Sequence, residues 1–188
     1  MNEALRLTKA LPGVQAAAIA DGLPLGKNRT WGVQALGQGS KDGHNATAYV
    51  RLTTDDSLRA MGMRLVSGRD IAATDDSASE PVVMINETLA RGLWPGQDAI
   101  GKIAMIDTTR RVIGVVGDVR HLSLDQAAGY EFYIPYRQIV DYPIVDLIVR
   151  SPLPATSLAT SIRTALAPIA PNVALNEVQT LGEIVDRS

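Results

Sequence analysis

Gly96 to Lys102 spells G-x-x-x-x-G-K, the opening of a phosphate-binding loop. In such a loop the glycines let backbone N–H groups cradle phosphates, the lysine reaches the terminal phosphates, and a following Ser or Thr holds magnesium. Here the next position is Ile103. The order of elements is also reversed. A phosphate loop runs from a strand into a helix N-terminus, whose amides face the anion. This segment instead leaves a helical pattern and enters the apolar run Ile103-Ala104-Met105-Ile106. It reads as a turn containing two glycines.

Other chemistry-bearing groups are sparse. The two histidines, His44 and His121, stand far apart, and neither H-x-x-x-H nor H-E-x-x-H occurs. A zinc site needs three or four such ligands. With no cysteine in the chain, thiol nucleophiles, thiolate metal sites and disulfides are excluded together. No G-x-S-x-G elbow surrounds a serine, and Ser40 and Ser67 read as ordinary turn residues. The acidic run Asp75 to Glu80 lacks the glycine and distal glutamate of a calcium loop, so 71–80 reads as a solvated polar loop. Gly37-Gln38-Gly39 is not followed by the third glycine of a dinucleotide fingerprint. Asp118, Arg120 and His121 cluster where a strand ends; a surface or interdomain ion pair is the simplest reading, with Arg120 and His121 as candidate interaction residues. The residues identify no cofactor.

The element that must position this chemistry is Val82 to Lys102. Val82-Val83-Met84-Ile85 is a short apolar run after Pro81, the pattern of a strand buried on both faces. Asn86 stands where a helix N-cap belongs, and Glu87 places negative charge at the positive end of the helix dipole. Leu89, Ala90, Leu93 and Trp94 share one helical face, with Arg91 directed away. Trp94 reads as a core anchor. Pro95-Gly96 ends the helix.

Around this unit the pattern predicts helices over 2–11, over a short segment capped by Thr54 or Asp55 and ended by Gly62, over 154–167 and over 180–185. Strands are predicted over 14–20, 31–36, 47–53 (half-buried, alternating), 111–119 (central), 131–136, 144–150 and 173–178, with 63–66 extended and 68–70 a turn. The chain ends echo one another: a helix, Leu11-Pro12-Gly13-Val14 and a strand at the start; a helix, Ala170-Pro171-Asn172-Val173 and a strand at the end. This predicts an α+β fold: one α/β subdomain from 1–50 and 137–188, and an inserted, mainly-β subdomain over 51–136.

Composition narrows the function classes. Eighteen Lys and Arg face twenty Asp and Glu with no basic run, so nucleic acid finds no electrostatic footprint. Aromatic residues are 4% of the chain, too few for stacking platforms. The longest apolar run, Ala16 to Ala20, is far short of the ~20 residues that span a bilayer.

Four blocks then stand in order: Met61-Gly62-Met63-Arg64-Leu65-Val66-Ser67-Gly68-Arg69-Asp70; Val82 to Lys102; Val112 to His121, with Gly117-Asp118 inside it; and Glu131-Phe132-Tyr133-Ile134-Pro135. With Leu11-Pro12-Gly13-Val14 before them and Leu147-Ile148-Val149-Arg150 after, they resemble the periplasmic core domain of MacB/FtsX-like ABC transporter permeases. The match is best to the large multi-span permeases common in acidobacteria. The sequence departs from that pattern at Ser57-Leu58, where an aromatic pair is usual.

The resemblance implies a porter-like subdomain built from both chain ends with an inserted sheet-rich one. It makes Gly62, Gly68, Arg69, Asn86, Glu87, Trp94, Pro95, Gly96, Gly101, Gly117 and Asp118 structural family positions. It further implies a non-catalytic, cofactor-free domain on the periplasmic side of the inner membrane, excised from a multi-pass protein. Its partners would be flanking transmembrane helices, a cytoplasmic ATP-binding subunit or domain, a second copy in the full-length protein, and a periplasmic partner or cargo. The alternative from the residues alone is a stand-alone solute- or peptide-binding module using a cleft between subdomains; a hydrolase with a dispersed triad using His121 is a third.

Overall fold

Six strands curl until the last meets the first. β2 (Thr30–Ala35), β6 (Ile103–Met105), β7 (Thr109–Val116), β5 (Val82–Asn86), β8 (Glu131–Pro135) and β3 (Ala46–Thr53) pair in that order, and β3 pairs again with β2. The computed structural model describes residues 2–23, 29–37, 46–119, 128–139, 145–169 and 178–186. β2 closes the ring by dividing its length. Its first residues pair with β3, from Thr30↔Tyr49 to Val33↔Ala46, and its last two with β6. The pairs β5–β7 and β3–β8 are parallel, the others antiparallel.

Alternation along the strands fills the barrel. Val83 and Ile85 of β5 point inward with Val33, Val50, Leu52, Val112, Phe132 and Ile134. Val82 and Met84 point outward, into a second cluster with Leu58, Ile71, Ile113, Val116 and Tyr133. β5 is therefore buried on both faces, as its unbroken apolar run predicts. Helix α3 (Glu87–Leu93) closes one mouth of the barrel through Leu89, Leu93 and Trp94.

A layered unit is attached at β3. β1 (Ala16–Ala20) pairs along its whole length with β9 (Asp146–Arg150), bringing the two arms of the chain together. β1 meets the barrel through one register pair, Ala20↔Thr53. α1 (Asn2–Lys9) covers one face through Leu5 against Ala17 and Ile19. α2 (Ser57–Met61) covers the other, with Ala60 and Met61 on Ala16, Ala18, Ala20 and Ile148. Alanine at four of the five β1 positions lets a helix approach from both sides. α4 (Ala155–Leu166) lies against α1 and buries Ile162 and Leu166. α5 (Leu181–Asp186) starts with a capping box between Thr180 and Glu183 and buries none of its residues. β4 (Leu65–Gly68) pairs antiparallel with the end of β7, with a bulge between Leu65 and Ser67.

Several local expectations change. The 63–66 extended segment and the turn at Gly68 become β4, because β7 offers a partner as far as Gly68. The central strand stops at Val116 rather than 119. β3 is not half-buried: Arg51 and Thr53 are buried as well as Val50 and Leu52, since α2 and β1 cover its outer side. α2 is capped by neither Thr54 nor Asp55. Its N-cap is Asp56, whose side chain makes no capping bond, while Thr54 Oγ1 accepts from Ile19 N at 3.0 Å. The strand expected over 173–178 and the second copy of the echo fall largely outside the described residues. No described helix is long and apolar enough to cross a membrane.

Candidate functional site

β5 runs into α3 with no loop between them, and Asn86 serves both. Its backbone is extended while its Oδ1 accepts from Leu89 N at 3.0 Å, the N-cap bond expected from its type. The same Oδ1 accepts from Glu131 N at 3.1 Å, at the head of β8. Its Nδ2 donates to Asp118 Oδ1 at 2.7 Å and to Gly129 O at 2.8 Å. The side chain is 0% exposed, and its two Oδ1 bonds are buried, while those to Asp118 and Gly129 are partly so.

Asp118 leaves β7 and becomes a second cap of α3. It accepts from Thr88 N at 2.9 Å, Thr88 Oγ1 at 2.7 Å and Arg91 Nη2 at 3.2 Å. A carboxylate at this end of a helix also meets the positive end of its dipole. Among the described residues Arg91 is a cation paired with Asp118. Arg120 and His121, with His44, Ser40, Gln38 and Gly39, lie outside the described residues.

Glu87 carries the dipole interaction outward and accepts from Arg64 Nη2 at 3.2 Å. Gly117 N donates to Arg64 O at 2.8 Å. A groove of about 460 Å³ opens here, lined by Met61 to Arg64, Glu87, Gly117 to Val119 and Leu181. Gly62, Glu87, Gly117 and Asp118, from three separate sequence blocks, therefore meet at one groove, with Asn86 directly beneath. Two methionines, one salt bridge and two residues without side chains line it.

The other family positions lie elsewhere. Arg69 forks onto Asp75 at 2.7 and 2.8 Å. Asp75, 5% exposed, also accepts from Ala72 N at 2.8 Å. Burial pulls its carboxyl up, but Arg69 and the amide together hold it below the ordinary range. The 71–80 segment remains a mostly exposed loop, as expected, but it is pinned at one point by the buried Asp75. Gly68 takes φ +77 where β4 abuts the Ile113 carbonyl. Trp94 is 3% exposed in the barrel core. Pro95 and Gly96 turn the chain, with Gln97 N donating to Trp94 O. Gly101 N donates to Val112 O at 2.8 Å, and Lys102 Nζ to Gln97 Oε1 at 2.6 Å. The lysine of the phosphate-loop look-alike is thus bonded within its own turn.

Sequence reasoning missed a buried network. Arg51 Nε donates to Glu131 Oε1 at 3.2 Å, and Tyr133 Oη to Glu131 Oε2 at 2.6 Å. Arg51 is 4% and Glu131 0% exposed. Burial, then the Glu131 charge, pushes the Tyr133 phenol well up. Arg51 sits at a strand position that alternation assigns to solvent; only the register Arg51↔Tyr133 brings the charges together. Arg110, also buried, forks onto Asp107 at 2.7 Å twice and donates to Gln138 Oε1 at 3.0 Å. Among the described residues no group of three or more His, Asp or Glu side chains could hold a metal.

The family profile of the MacB-like periplasmic core domain matches residues 2–179. The chain belongs to this family. It is a periplasmic core domain of a MacB-like ABC transporter permease. Solved MacB-like folds superpose on it. The periplasmic region of MacB from Actinobacillus actinomycetemcomitans does so with a TM-score of 0.63 at 16% identity, covering 89% of this chain and 73% of that one. The extracellular domain of the noncanonic ABC-type transporter YknZ from Gram-positive bacteria gives 0.61 at 15% identity, covering 90% and 82%. A domain of a putative permease from Porphyromonas gingivalis gives 0.57 at 18% identity, covering 88% and 68%. No curated protein sequence matches. These likenesses carry the MacB-like fold; the groove and the Asn86 bonds are read from this chain.

Proposed function

We propose that this MacB-like core domain is a non-catalytic coupling element, passing ATP-driven movement of flanking membrane helices to a cargo or partner protein. The observation that carries the reading is the β1–β9 pair, which joins the arms of the chain along five register positions. Force arriving through either arm enters one small sheet, and from there the barrel. In this reading the chain divides into the layered unit and the barrel, with β2 and β3 on the barrel side. The domain lies on the periplasmic side of the inner membrane. A cytoplasmic ATP-binding subunit or domain supplies energy, and a second permease copy pairs with the first. The groove beside Asn86 is the surface offered to the partner.

The test uses the parent permease with its ATP-binding component in vesicles. A groove variant, Met63→Glu with Arg64→Glu, is expected to keep ATP hydrolysis while losing export or partner capture. Export that survives both substitutions refutes the groove's role; export that survives removal of the whole domain refutes coupling.

The groove volume supports a second reading, a solute- or peptide-binding module, since about 460 Å³ falls within the range of ligand pockets. A thermal-shift screen of small solutes and short peptides separates the two. A ligand at about a hundredfold excess over its Kd raises stability by about 2.7 kcal/mol. The coupling reading expects no such ligand among small solutes.

A further inference from the structure

Left-handed backbone flanks one short helix. Asp56, φ +71, opens α2, and Gly62, φ +72, closes it. Among the described residues Asp56 is the one non-glycine with positive φ. An L-residue there is strained, because its Cβ crowds the following carbonyl. Its carboxylate does not cap the helix but lies 3.6 Å from Lys9 Nζ. The adjoining Ser57 is buried, and its hydroxyl has no partner among the described residues. α2 spans five residues, far below the ~12–15 at which an isolated helix holds itself together. Its surroundings keep it folded, and they belong to two different bodies. Leu58 inserts among Ile71, Met84 and Tyr133 on the outside of the barrel. Ala60 and Met61 pack on β1 and β9 of the layered unit.

The rest of the seam is polar. Besides the single Ala20↔Thr53 pair, Thr54 N donates to Ile19 O at 3.0 Å, Leu52 N to Asp21 Oδ1 at 2.7 Å, and Lys9 Nζ to Asp55 Oδ2 at 3.1 Å. A cavity of about 10 Å³ lies at the seam, lined by Ala20 and Met61 together with Arg51, Glu131 and Tyr133. Apolar burial welds surfaces together, whereas hydrogen bonds and partly exposed ion pairs exchange with water at small net cost once opening admits it. The apolar clusters stay separate, barrel core on one side and the two faces of β1–β9 on the other.

We propose that α2 is a swivel: the layered unit turns against the barrel about Asp56 and Gly62, and the polar seam between β1 and β3 is where they slide. Hinges of this kind are a few element-terminal residues that absorb the dihedral change. Rotation of Asp56 to negative φ releases its strain, and opening gives the Ser57 hydroxyl access to water. Both local costs of the arrangement seen here bring the turned state closer in energy. The swivel rests on the fold alone, so failure of the coupling reading leaves it standing.

The chain has no cysteine, so introduced pairs report without background. Spin labels at Thr156→Cys on α4 and Thr108→Cys on the β6–β7 turn span the seam. Labels at Thr108→Cys and Gln97→Cys stay within the barrel. Distances in the 188-residue chain come from pulsed electron spin resonance. The expected result is a cross-seam distribution with two maxima, or about twice as wide as the barrel pair. Asp56→Gly, which removes the left-handed penalty, is expected to shift the population toward the arrangement described here and narrow that distribution. A cross-seam distribution as narrow as the barrel pair overturns the swivel. A broad one that Asp56→Gly leaves unchanged overturns the assignment of Asp56 as a pivot.

Discussion

Replacing Asn86 with alanine separates two accounts of that side chain. If it is only a helix cap, the loss is about 1 kcal/mol. The structure predicts more. Leu89 N and Glu131 N both lose their Oδ1 acceptor, and both residues are fully buried. Each buried donor left unpaired costs about 1–3 kcal/mol. The acceptors on the other side suffer less: Asp118 is 26% exposed and keeps Thr88 and Arg91. The expected total is about 4 kcal/mol, against an overall stability of about 5–15 kcal/mol for a domain. Urea unfolding followed by circular dichroism measures it as a shift in midpoint at unchanged slope. A loss near 1 kcal/mol would show that the bonds to Glu131 and Asp118 contribute nothing beyond capping.

Asn86→Asp sharpens the test. It preserves Oδ1 but sets a carboxylate oxygen where Nδ2 stands, 2.7 Å from Asp118 Oδ1. Two carboxylates that close share a proton, so the pair titrates in the folded state above the unfolded value of about 3.9. A raised folded value means the variant's penalty is least in acid and grows as pH rises through the folded value. A penalty independent of pH between 4 and 7 refutes the direct Asn86–Asp118 contact.

Trp94→Ala truncates a buried core residue and is expected to lose about 3–5 kcal/mol, or about 10 °C in melting temperature; scanning calorimetry checks it, and an unchanged melting point would mean the indole is not in the core. Glu131→Ala leaves the Arg51 guanidinium buried without its carboxylate and is expected to cost about 3–5 kcal/mol, whereas Arg51→Met with Glu131→Leu together costs less than the single change; a double-mutant cycle by urea unfolding decides. Asp75→Asn is expected to cost about 1–3 kcal/mol at pH 6. Because Arg69 and the Ala72 amide hold the Asp75 carboxyl below its unfolded value, the wild-type advantage is complete above that value and fades as pH falls through the folded one; a gap that stays constant down to pH 3 contradicts the pairing. Ser57→Ala removes a buried hydroxyl with no partner among the described residues and is expected to be neutral or to stabilise by up to about 1 kcal/mol; a clear loss of stability would reveal a partner for that oxygen.

The barrel half of the fold was partly legible. β5, α3 and the Pro95-Gly96 stop follow from an unbroken apolar run, a capping residue and a helix breaker acting over a few residues. In the layered unit the predicted strands over 14–20 and 144–150 are present as β1 and β9, but that they pair with each other shows only in the fold. What alternation could not show was which polar residues turn inward. Arg51 and Glu131 stand 80 residues apart and meet only through strand register. Asp75 reads as one acid among several until Arg69 reaches it. The groove is similarly invisible in sequence, since it gathers residues from three blocks and α5.

Asn86 draws the line between the two sources. Its role as an N-cap is a contact with Leu89, three residues on, and sequence alone determines it, because the geometry of one helical turn is the same in every fold. So do the buried face of α3 and the rejection of the phosphate loop, which needs only the order of neighbouring elements. Asn86's bonds to Asp118 and Glu131 span 32 and 45 residues. They exist only because β5 and β7 end, and β8 begins, at one rim of a closed barrel. That closure, the polar seam at α2 and the groove depend on which distant strands pair, and pairing is settled by the packing of the whole chain rather than by any segment of it.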